Sequence, residues 1–139
     1  MFNPKSTPEQ FNSWSKGKFP GLLGIKIISV EANKMVAEME IKEKLFAPNG
    51  FLHAGSIVTM ADTVAGYSTM AHLPEKAFSF TTLELKSNFM RAAREGVLIA
   101  ESEPEHIGRT TQVWRVVVKA KASGKTIAVF SCTQLILYK

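Results

Sequence analysis

Residues 45–74 read LFAPNGFLHAGSIVTMADTVAGYSTMAHLP, and the fold turns on this stretch. Asp62 is its only carboxylate. It holds no Lys or Arg, and His53, Tyr67 and His72 are its only other titratable side chains. The centre, SIVTMADTVAGYSTMA, places apolar or small residues at every angle round a helix expected over Ala54–His72. A helix that is apolar all round is buried, in a protein or in a membrane. At 1.5 Å per residue it is roughly 28 Å long, and Pro74 bars its continuation. A lone carboxylate in such a helix costs on the order of several kcal/mol unless it is paired, hydrogen-bonded or protonated. Asp62 is therefore either a structural acid satisfied by Thr59, Ser56 or a backbone N–H, or a working one.

Working outward, Thr7-Pro8-Glu9-Gln10 marks a helix start, with Thr7 as cap, Pro8 at the first position and Gln10 closing a capping box. This short helix continues through Lys16, and Gly17 is its stop. Phe19-Pro20-Gly21 reads as a turn. Leu22–Ile28 and Met35–Ile41 read as strands joined at the polar Glu31–Lys34. In the second, Val36, Glu38 and Glu40 share one face while Met35, Ala37, Met39 and Ile41 share the other.

Beyond the helix, Thr81, Leu83, Leu85, Ser87 and Phe89 alternate with Thr82, Glu84, Lys86 and Asn88. Val97–Glu103, Thr110–Lys121 and Thr126–Tyr138 follow, and turns containing Gly96, Gly108 and Gly124 separate the strands in meander order. Only a strongly curved antiparallel sheet, helped by a second subunit, covers so apolar a helix with so few elements. The expected class is α+β: one domain over residues 1–139, one sheet wrapped round one helix. Its edge strands favour a homo-oligomer, a dimer or a dimer of dimers.

Composition narrows the setting. The chain has 139 residues, 45% hydrophobic and 21% charged, which is the profile of a folded globular protein. A net charge of +5 fits an anionic partner. No basic stripe or aromatic platform suggests nucleic acid. The single Cys132 cannot form an intrachain disulfide and points to a reducing compartment. The polar N-terminus, MFNPKSTPEQ, is no signal peptide. No uninterrupted apolar run reaches membrane-spanning length, so a cytoplasmic location is expected.

The chemistry gathers at one end of the central helix. Asn49-Gly-Phe-Leu-His53-Ala-Gly55 leads directly into it, and its first-turn N–H groups, with the positive end of the helix dipole, can stabilise an oxyanion. Asp62 lies two turns beyond Gly55 on the same face, some 10 Å away. In an antiparallel pair of such helices from two subunits, Asp62 of one chain approaches Gly55 of the other, giving two interfacial sites per dimer. His53 reads as a loop brace or a catalytic group, and Asn49 as a turn residue or a positioning one. His72, near the helix C-terminus, reads as a dipole-complementing or a surface group, and His106 as a turn residue. The three histidines are too dispersed for a metal site. No G-x-S-x-G, P-loop or dinucleotide motif is present, and Cys132 has no histidine beside it. Arg91, Arg94, Arg109 and Arg115 form either an anion-binding rim or a solvated surface.

The loop Asn49–Gly55, followed by Met60-Ala61-Asp62-Thr63 and Ala65-Gly66, resembles the hotdog-fold thioesterases. The closest group is the 4-hydroxybenzoyl-CoA thioesterase superfamily in its phenylacetate-degradation-type branch. Thr81–Phe89 and His106–Thr111 resemble that family's later strand and turn. The resemblance implies an acyl-CoA thioesterase with Asp62 as general base or nucleophile and the Gly55 N–H polarising the thioester carbonyl. Asn49 and His53 would shape the site, and Arg91, Arg109 and Thr110 would meet the nucleotide end of coenzyme A. It implies no metal and no cofactor. Ala54 stands where the family has the first glycine of a pair, and Gly66 where some relatives carry threonine. The competing reading on the same fold is a non-catalytic acyl-CoA or lipid binder.

Overall fold

The computed structural model describes every residue from Met1 to Lys139. Thr7 caps helix α1 (Pro8–Ser15), its hydroxyl accepting from the Gln10 N–H at 3.2 Å. Gly17 follows with φ +70, a left-handed conformation that suits glycine. Phe19–Leu22 is a one-turn helix, α2, and not the expected turn with a strand from Leu22 onward. Pro20 suits a first helical turn, Leu23 keeps helical angles, and Gly24 at φ +76 then breaks the apolar run. Strand β1 therefore starts only at Lys26 (Lys26–Glu31) and turns through Asn33 into β2 (Lys34–Glu40). In β2, Met35, Ala37 and Met39 are buried on one face, as the alternation predicts.

Helix α3 (Ala54–Ala71) follows a 3-10 turn at Glu43–Leu45 and packs on β2 together with four later strands, β3 (Ala77–Phe89), β4 (Val97–Ile107), β5 (Thr111–Ala120) and β6 (Thr126–Tyr138). The six strands form one antiparallel sheet in the order β1-β2-β4-β5-β6-β3. The expected meander holds for β4-β5-β6 only. β3 pairs with β6 at the far edge, from Ala77↔Tyr138 to Phe89↔Ala128, and the connection to β4 crosses the entry to α3, where the Leu52 N–H donates to the Ala93 carbonyl. Strand β4 runs on through Pro104 to Ile107, past the expected end at Glu103, with a register shift between Pro104 and His106.

A second irregularity re-aims β3. The register shifts between Thr82 and Glu84, leaving Leu83 as an extra residue. Phe80, Thr82, Leu85, Ser87 and Phe89 all pair with buried β6 residues and share the face turned to α3. Strict alternation put Phe80 and Thr82 on the opposite face from Leu85. Gly66 makes room for this strand: a Cβ there would stand 2.9 Å from the Phe80 ring.

His72 corrects another expectation. It caps α3 but is buried rather than at the surface. Its Nδ1 lies 2.7 Å from the Ser68 carbonyl, and Nε2 accepts from the Asn33 N–H at 2.9 Å. Since Nε2 must accept, the proton sits on Nδ1 and the ring is neutral. The Gln112 amide donates to the His72 carbonyl, and Trp114 donates to Gln112. No helix is long and apolar enough to cross a membrane.

Candidate functional site

The loop before α3 is held by its own hydrogen bonds. The Ala47 N–H donates to the Phe51 carbonyl at 2.7 Å, Gly50 takes φ +85, and the Asn49 carboxamide accepts from the Phe51 N–H at 3.2 Å. Asn49 thus serves the turn, one of its two expected roles. His53 is the N-cap of α3, with Nδ1 accepting from the Gly55 N–H at 2.7 Å. The Gly55 donor expected to face a substrate is therefore covered by imidazole. The backbone N–H of Ala54 has no acceptor in the chain and is a free donor at this helix end. Capping logic could have found it, because a cap side chain binds the second or third N–H and leaves the first exposed.

The hydroxyls that could have neutralised Asp62 are engaged elsewhere. Ser56 donates to the Leu45 carbonyl at 2.9 Å and Thr59 to the Gly55 carbonyl at 2.7 Å. Oδ1 of Asp62 is buried with no partner, and no cation pairs with the carboxyl. Burial raises its pKa above the usual 3.8. Its charge, after burial itself, helps push the Cys132 thiol on β6 up to about 12. Three buried side-chain atoms in the chain lack a hydrogen bond: Asp62 Oδ1, Ser87 Oγ and Gln134 Oε1. All three belong to the inner layer between α3 and the β3–β6 pair, where Ser87 pairs with Phe130 and Gln134 with Thr82. Orphaned buried polar groups are rare, and each calls for an explanation, a catalytic role being one.

The remaining expected contacts divide into two places. Arg91 donates to the Thr126 carbonyl at the start of β6, and Arg94 lies 4.4 Å over the Phe51 ring, both near the entry to α3. Arg109 and Thr110 sit at the other end of β6, where the Tyr138 hydroxyl donates to the Arg109 carbonyl and the Ile136 N–H to the Thr110 carbonyl. One chain does not bring Arg91 together with Arg109 and Thr110. Two cavities flank the start of α3. One of about 480 Å³ touches His53, Gly55 and Thr59, and one of about 320 Å³ touches Ala54, Ile57 and Arg91.

A family model described as the thioesterase superfamily matches residues 49–128. A 1,4-dihydroxy-2-naphthoyl-CoA hydrolase of Listeria monocytogenes is 32% identical over 111 residues, which are 80% of this chain and 89% of that protein. A thioesterase structure from Pseudomonas aeruginosa superposes with a TM-score of 0.92 at 26% identity, covering 98% of this chain and 97% of that one. One from Haemophilus influenzae gives 0.91 at 25% identity, covering 99% and 94%. The sheet order and central helix described above are thus shared with solved thioesterases.

Proposed function

The chain belongs to the thioesterase superfamily, and from that premise we propose that it hydrolyses an acyl-CoA thioester to a free acid and coenzyme A at sites shared between two copies of the chain. The observation that carries this reading is the half-buried Asp62 carboxyl, which has no cationic or hydroxyl partner and an orphaned Oδ1. A thioester is already activated, so one carboxylate, one water and an oxyanion donor suffice. Asp62 acts as general base on water or attacks the carbonyl itself. Its raised pKa makes it a stronger base than an exposed aspartate.

The oxyanion is held by the N-terminal N–H groups of α3: the free one of Ala54, joined by that of Gly55 when the His53 ring turns away. These groups lie two helical turns from Asp62 of the same chain, so the acid comes from the partner's helix. Support for that pairing comes from β3. Its outer edge has no neighbouring strand, and Leu85 and Phe89 on its inner face are exposed beside α3. An antiparallel meeting of two β3 edges covers those residues and sets the two helices side by side. It also brings Arg109 and Thr110 of one copy toward Arg91 of the other, as a shared rim for the phosphates of coenzyme A.

The test is release of free thiol from a panel of acyl-CoA esters. Asp62→Asn should retain binding and oligomeric state while losing turnover. A variant that turns over at the wild-type rate removes Asp62 from the mechanism. Binding of the esters by the wild type without any release of thiol selects the non-catalytic binder instead.

A further inference from the structure

We propose that the cavity between α2 and the start of α3 is the acyl pocket, and that Phe19 and Leu22 of α2 select an uncharged, apolar acyl group of medium length. The inference rests on the hydrolase reading for the identity of the guest. At about 480 Å³ the cavity falls in the lower half of the range usual for small-molecule sites. Its apolar walls are Phe19, Leu22 and Leu23 on one side and Leu45 and Phe46 on the other. His53 and Gly55 line the same space, and Ala54, which carries a free donor, is the residue between them. A thioester carbonyl held at the helix end therefore has this space within reach of its acyl chain.

The two cavities carry different cations, a lysine here and arginine at the neighbour. The smaller cavity across the helix end is also mainly apolar, with Arg91 as its one charged lining residue and Arg94 close by on Phe51. That side suits the anionic coenzyme. The α2 cavity is lined by one charged residue, the exposed Lys44, and Lys18 stands beside Phe19 at the outer side of α2.

The make-up of α2 points the same way. Phe19 and Leu22 are 60% and 65% exposed, which leaves two large apolar side chains in water at a cavity they line. An apolar guest would cover them. Left-handed glycines, Gly17 and Gly24, bracket this single turn. Gly21 seats it against α1, because a Cβ there would overlap the Ser15 carbonyl oxygen. The wall is therefore short, fixed in place and changeable at two exposed positions without disturbing the core.

The experiment is calorimetric binding of methylene-ketone analogues of octanoyl-CoA and acetyl-CoA, in which a CH2 separates sulfur from carbonyl. Wild type should bind the octanoyl analogue at least about tenfold more tightly, since each extra methylene buried in an apolar pocket adds preference. Leu22→Trp, which fills the cavity, and Phe19→Ala, which removes a wall, should each cut that ratio about threefold or more. Equal binding of the two analogues, or an unchanged ratio in both variants, overturns the assignment. It also falls if Phe19→Ser with Leu22→Ser turns an oligomer into a monomer by light scattering, because α2 is then a subunit contact. Thiol release from octanoyl-CoA, measured separately, reports on the hydrolase reading. Length-selective binding without release defeats that reading and leaves the pocket, whereas release with a flat binding ratio does the reverse.

Discussion

A carboxyl group surrounded by neutral side chains holds its proton more tightly than one in water, and Asp62 shows that cost without any ion pair to offset it. Two expectations follow from the sign. On the proposed mechanism activity needs the ionised form, so the acidic limb of kcat/KM should lie above the ordinary aspartate value of 3.8. Asp62→Asn should lower kcat by about a hundred- to ten-thousand-fold, the usual span for a positioned base. Stability moves the other way. A raised folded pKa favours the protonated fold, a contribution present below pH 3.8 and lost as pH rises through the folded value. Thermal unfolding at pH 7 should therefore find Asp62→Asn more stable than wild type, with the gain vanishing in acid. Asp62 could be picked out from sequence because no other charge lies between Leu45 and Pro74. The covered Gly55 N–H was less visible, since it depends on which way the His53 ring turns.

At the level of elements, the end of α3 and the β1–β2 hairpin are joined through His72. Burial lowers its pKa, and the Met1 ammonium, 3.4 Å from the His72 carbonyl, pushes the same way against the Ser68 hydrogen bond. Protonating Nε2 would set two N–H groups of His72 and Asn33 against each other. The sign is that of a depressed cation: stability is complete above pH 6.5 and falls as pH drops toward the folded value. Urea unfolding between pH 7 and 4.5 should show this loss, and His72→Gln should remove that part of the pH dependence while lowering stability at pH 7. The short helix α2 gives a companion prediction. Gly21→Ala drives a methyl group into the Ser15 carbonyl and should cost about 1–3 kcal/mol, the usual range for overpacking, in chemical denaturation. The central helix was legible from its unbroken apolar surface and Pro74. The polar role of His72 was hidden because its partners, Asn33 and Ser102 by way of Ser68, are far away in sequence. The helix of α2 was hidden because Leu-Leu-Gly-Ile has the composition of a strand, and the meander failed because local patterns do not say which edge a strand joins.

For the whole molecule, the question is what lies against β3. An unpaired edge of 13 residues with Phe78, Leu83, Leu85 and Phe89 exposed is an unstable surface for a lone chain in water. Pairing two such edges about a twofold axis would satisfy the free backbone groups and cover Leu85 and Phe89 in one step. On the proposed reading it would also place each Asp62 near the other chain's helix entry and make assembly and activity one property. Leu85 sits on the inner face, opposite Cys132, with Asp62's field reaching the same thiol. Leu85→Lys would bury a charge in that contact, and burying an unpaired charge costs several kcal/mol or roughly that order. Because Leu85 is 42% exposed in the single chain, the protomer should still fold. Light scattering should then report a monomer with unchanged far-ultraviolet circular dichroism and no thiol release from any acyl-CoA. Cys132, its buried thiol pushed up to about 12 and so protonated at neutral pH, should not react in the native state with a disulfide reagent used to detect released thiol. A folded Leu85→Lys monomer that hydrolyses thioesters at the wild-type rate would place both halves of the site in one chain and defeat the interfacial reading.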